Sequence, residues 1–147
     1  MAEVRAVYEM LADRPLQRDC QGRAACCHFR QTGKTPQLTR GEALVLAQGV
    51  RAAGRTKVAE RPDGACPLLA PDQRCMAYNA RPFGCRTHFC AAAGGPAARR
   101  DVLDLIRRLE TVDESLGGDG PKPLSQALYE AMQPKSNPLR TKAKPRN

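Results

Sequence analysis

Apolar side chains recur at helical spacing in four stretches of this chain, and the segments between them carry the cysteines. Over residues 2 to 13, Val4, Val7, Tyr8 and Leu11 fall at the i, i+3, i+4, i+7 spacing of one helix face, and Pro15 closes the stretch. Thr39-Arg40-Gly41-Glu42 is a capping box that opens a second helix. Its buried stripe is Leu44, Ala47 and Val50, widened by Val45 and Leu46, and Gly54 suits the position just past its end. Pro96 precedes the longest periodic stretch, about 97 to 115, in which Val102, Leu105, Ile106, Leu109 and Val112 share a face and Gly117-Gly118 ends the helix. A short helix at 124 to 132 presents Leu124, Leu128 and Met132.

The intervening segments have neither the helical nor the strand period. Arg18 to Leu38 is dense in Gly, Cys, Arg and polar residues and reads as an irregular loop shaped by what its cysteines bind. Residues 55 to 64 are polar, and Pro62-Asp63-Gly64 signals a turn. Cys66 to Leu69 and Arg74 to Tyr78 flank Ala70-Pro71-Asp72-Gln73, a type I turn with Pro at its second position. That predicts a short β-hairpin with Cys66 at one end and Cys75 across from it. Asn79 to Arg81 suits a turn of helix before Pro82, and Ala91 to Gly95 a small-residue connector. The expected fold is mainly α with one short β-hairpin, a small irregular cysteine-rich, metal-stapled domain over residues 1–134. A disordered basic tail over 135–147 is expected to follow.

Composition explains why a staple is wanted. The 147 residues include three Phe, three Tyr and no Trp, so Leu, Val and Ala must supply most of the core. Seven cysteines are available, an odd number in two local groups. Residues 1 to 14 have Glu3, Arg5 and Glu9 spread through them and no continuous apolar run, and no stretch is long enough to span a membrane. The expectation is therefore a cytoplasmic protein, and in that reducing compartment such thiols point to a metal site before disulfides. Charge adds less than it first suggests. Of the net +9, five charges come from Lys135, Arg140, Lys142, Lys144 and Arg146 in the tail, leaving the body at only +4.

Cysteine thiolate is a soft ligand suited to zinc and to iron–sulfur clusters. Cys66, Cys75, Cys85 and Cys90 could form a tetrahedral set alone, although their spacing is not that of paired C-x-x-C knuckles. Cys20, Cys26 and Cys27 form the upstream group. Cys26 and Cys27 are adjacent, so one joins the main site while its neighbour either binds a second ion or is buried as a small apolar residue. Either His28 or His88 could complete a mixed site, although a histidine beside a metal cluster is more often a surface or outer-shell residue. Every Phe lies within two residues of a cysteine, which fits a dry shell around a metal as well as a small core shared with the thiols. Arg99 and Arg100 oppose the dipole of the helix they begin; a thiolate site near Cys90 or plain solvent would account for them.

In order along the chain stand Cys66-Pro67-Leu68-Leu69, Cys75-Met76-Ala77-Tyr78, Arg81-Pro82-Phe83-Gly84-Cys85-Arg86 and Cys90. These residues resemble the YkgJ-type cysteine-cluster family, also described as the CxxCxxCC zinc- or iron-chelating domain. The likeness runs from about residue 20 to 90 and includes the helix that opens at Leu38-Thr39-Arg40-Gly41-Glu42. One position departs: Arg23 stands where the family's pattern has its second cysteine, so seven of eight cysteines remain. The resemblance implies that Cys20, Cys26, Cys27, Cys66, Cys75, Cys85 and Cys90 are the metal ligands. A related cluster occurs in a flagellin lysine methylase, but this chain has no glycine-rich cofactor loop and methylation is not carried over.

The sequence thus supports a metal-binding protein that holds zinc or iron, the latter also as an iron–sulfur cluster, through a two-part cysteine cluster. A metalloenzyme or redox protein with an open position at that metal is the alternative. The expected partner is a metal ion, with no membrane. Nucleic acid is argued against because stacking aromatics are not interleaved with the basic residues.

Overall fold

A computed structural model of the chain describes residues 1–16, 25–88 and 93–134. The described residues form a mostly helical fold with one two-stranded antiparallel sheet. Helix α1 (Ala2–Ala12) buries Val4, Val7, Tyr8 and Leu11, the four positions that its period selects. A 3-10 turn (Ala25–Cys27) and the one-turn α2 (Phe29–Thr32) occupy part of what the sequence suggested was irregular loop. Strand β1 (Gln37–Leu38) follows, then α3 (Arg40–Ala52), a 3-10 turn (Tyr78–Ala80), α4 (Phe83–Thr87), α5 (Arg99–Ser115), β2 (Lys122–Pro123) and α6 (Leu124–Met132).

Helix α3 sits between two apolar clusters. Val45 faces α1 and α5, where it meets Val4, Val7, Leu105, Leu109 and Phe83. Leu46, Ala47 and Val50 face α6 and the cysteine-bearing segments, together with Leu68, Leu124 and Leu128. Fully burying a leucine contributes about 1.5–3 kcal/mol, and Leu46, Leu68, Leu105, Leu124 and Leu128 are all essentially inaccessible. Leu44, expected in the stripe, is only half-buried, because the packing on both flanks turns Val45 and Leu46 inward instead. Gly41 allows the close approach of α1 and α5: a β-carbon there would come within 2.9 Å of Val4 and 3.1 Å of Val112.

The sheet is not where the sequence put a hairpin. Gln37 pairs with Pro123 and Leu38 with Lys122, so β1 and β2 join distant parts of the chain. The predicted hairpin survives as a single antiparallel bridge in which Cys75 lies across from Leu69, not Cys66. Its turn is as expected, with Gln73 N–H donating to the Ala70 carbonyl at 2.9 Å. Gln73 then takes a left-handed φ of 64°, and Ala70 N–H returns to the Arg74 carbonyl at 2.8 Å. Helix α5 begins at Arg99, two residues later than expected, and both Arg99 and Arg100 are exposed, Arg100 reaching Asp101 at 3.8 Å. The solvated basic face is the reading this favours. No helix among the described residues is long and apolar enough to cross a membrane. The predicted basic tail, 135–147, lies outside the described residues.

Candidate metal centre

The two cysteine groups meet through the backbone. Cys66 N–H donates to the carbonyl of Cys27 at 2.7 Å, which ties the 3-10 turn of the first group to the start of the second. The Cys66–Leu69 turn and the Leu69–Cys75 bridge then return Cys75 to the same place. Cys85 arrives on α4, whose start is fixed by Pro82, a fully buried side chain at the helix cap.

That short helix is anchored by a residue that the sequence assigned to a different task. Glu42, buried at 2% exposure, closes the predicted capping box: its Oε2 accepts Thr39 N–H and the Thr39 hydroxyl, each at 2.9 Å. Its Oε1 accepts Phe83 N–H at 2.8 Å and the Tyr8 hydroxyl at 3.3 Å. One carboxylate therefore caps α3 and α4 together. Burial pushes its pKa up, against the pull of these hydrogen bonds. Tyr8 is raised too, by burial first and by Glu42 second, and Arg86 lies over its ring at 4.2 Å. Arg86 also donates to the carbonyls of Arg81 at 2.6 Å and Asn79 at 2.8 Å, fixing the approach to α4.

Cys26, Cys27, Cys66, Cys75 and Cys85 line one cavity of about 530 Å3, and all five are free thiols. Its walls are otherwise largely apolar, with Phe29, Leu46, Leu68 and Leu124 among them. Burial raises the thiols of Cys66, to about 11, and of Cys75 and Cys85. Cys26 runs the other way: a hydrogen bond from Cys27 draws it down to about 6, helped by Arg81 and His28, while the same bond raises Cys27. Of the two histidines, His88 lines the cavity, whereas His28 Nε2 lies 3.3 Å from Gln73 Oε1. Phe29 and Phe83 are buried; Phe29 lines the cavity and Phe83 joins the core against α1 and α5. Cys20, Arg23, Phe89 and Cys90 lie outside the described residues.

The donor set is chemically suited to zinc or iron, since five soft ligands face one apolar space and none is spent in a disulfide. Among the described residues no group of three or more His, Cys, Asp or Glu side chains is placed to hold a metal ion. Arg81, which the sequence placed only in a motif and a helical turn, has its guanidinium 3.7 Å from the Tyr78 ring centre, and its charge bears on Cys26, Cys75 and Cys85. Its position four residues ahead of Cys85 was the available signal.

A family model described as CxxCxxCC, "Putative zinc- or iron-chelating domain", matches residues 19–106. No curated protein and no solved structure matches the chain.

Proposed function

Because the chain belongs to the CxxCxxCC family, we propose that it is a cytoplasmic metal-binding protein whose two cysteine groups act as one site for zinc or iron. The observation that carries this reading is the backbone bond from Cys66 N–H to the Cys27 carbonyl at 2.7 Å, which brings both groups to the cavity that Cys26, Cys75 and Cys85 also line. In the proposal Cys20 and Cys90 complete the ligand set. A zinc ion would act as a structural staple, and iron, as an ion or an iron–sulfur cluster, would add electron transfer. The chain's own part is to supply thiolates, hold their loops through Glu42 and Cys66, and keep the space dry with Phe29, Leu46 and Leu68.

Anaerobic purification with elemental analysis tests it. Zinc or iron is expected in near-integral ratio to the chain, iron giving visible absorption and zinc none, and chelation is expected to lower the melting temperature sharply. Protein purified without either metal, and melting the same with chelator as without, rejects the reading.

A further inference from the structure

The cavity is much larger than a metal needs. With metal–sulfur bonds of about 2.3 Å, the space inside a tetrahedral thiolate shell is on the order of 50 Å3, against about 530 Å3 here. That volume lies within the range of small-molecule pockets, about 300–1,000 Å3. Among the described residues its lining is apolar walls, the thiols, the polar Thr35 and Gln37, and Lys34, Arg81 and His88, with no Asp or Glu.

Two of those cations have no carboxylate partner among the described residues. Arg81 is half-buried, Nε donates to the Tyr78 carbonyl at 3.1 Å, and the ring of Tyr78 supports the guanidinium face. Neither Arg81 nor Lys34 forms an ion pair with a carboxylate among the described residues. A planar guanidinium held by stacking and one hydrogen bond keeps its remaining N–H groups for a planar, bidentate acceptor.

We propose that this cavity binds a small organic anion, a carboxylate with an apolar body, its charge held by Arg81 and Lys34 and its body against Phe29, Leu46, Leu68 and Leu124. A cationic ligand would meet two like charges and, among the described residues, no carboxylate. A neutral one would leave the guanidinium unpaired. Because Arg81 lines the same cavity as Cys26, Cys75 and Cys85, the anion lies beside the proposed metal ligands. Only that placement rests on the metal reading.

The test is calorimetric titration of the full chain as purified, its metal content measured in each sample, with benzoate and hexanoate against benzyl alcohol, hexanol and benzylamine. Each carboxylate is expected to bind about tenfold or more tightly than its alcohol, with benzylamine weakest, and Arg81→Gln is expected to remove most of that preference. Lys34→Gln, at an exposed site, should reduce it by a smaller factor. Absence of binding by both carboxylates, equal binding of the alcohols, or an undiminished preference in a folded Arg81→Gln protein overturns the proposal. Should Arg81→Gln not fold, an undiminished preference in Lys34→Gln does so. A wild-type sample that holds neither zinc nor iron and melts the same with chelator as without sinks the metal reading alone, because the anion is titrated all the same.

Discussion

Glu42 Oε1 accepts the backbone N–H of Phe83 at 2.8 Å, so a carboxylate in the first turn of α3 holds the first turn of the helix that carries Cys85. The tie spans forty-one positions of sequence and is buried on both sides. It makes the geometry of one thiol depend on a residue that does not line the cavity.

Glu42→Ala leaves Thr39 N–H and Phe83 N–H without their acceptor, and each buried orphan donor costs about 1–3 kcal/mol. A loss of about 3 kcal/mol is expected in denaturant unfolding. Cys85 should also become more reactive toward iodoacetamide. Glu42→Ala with unchanged Cys85 alkylation kinetics would show that α4 is held by other contacts.

Cys66→Ser and Cys85→Ser replace soft donors with hard ones at the meeting point of the two groups and on α4. Each is expected to lower metal content and remove most of the chelator-sensitive part of the melting temperature. Leu105→Ala, at 0% exposure in the cluster against α1, serves as the contrast. It should destabilise by about 2–5 kcal/mol while leaving metal stoichiometry unchanged.

Gly49 packs directly against Ala80, and a β-carbon there would overlap the Ala80 side chain. Gly49→Ala gains helix propensity yet must push the Tyr78–Ala80 turn away, and overpacking of this kind costs about 1–3 kcal/mol. A melting temperature at or above wild type would mean that the turn gives way freely.

Arg14 donates to both carboxylate oxygens of Asp104, one at 2.8 Å, and this holds the Asp104 carboxyl down at about 2 against an ordinary 3.8. A depressed folded pKa means that the unfolded chain binds the proton more readily. The pair's stabilising effect is therefore complete above about pH 4 and fades as pH falls through 2. Both groups are partly in solvent, so salt should weaken it. In an NMR titration Arg14→Ala is expected to return Asp104 to the ordinary range.

Local sequence carried the helices well, because their signals are short-range. Val4, Val7, Tyr8 and Leu11 mark one face of α1, Thr39 and Glu42 mark the start of α3, and α6 runs over the predicted 124 to 132. The loops were less legible. Whether Gln37 and Leu38 form a strand depends on Pro123 and Lys122, which pair with them from eighty-six and eighty-four residues away.

The periods of the helices, the turn at Ala70 to Gln73 and the supply of soft thiols in two groups follow from spacing and side-chain chemistry within a few residues. Only the tertiary structure decided which thiols share a space, that Glu42 caps two helices, and that Arg81 stands over the site without a carboxylate partner among the described residues. Those outcomes depend on contacts between distant segments, made when α3 is buried between its two apolar clusters, and no local pattern encodes them.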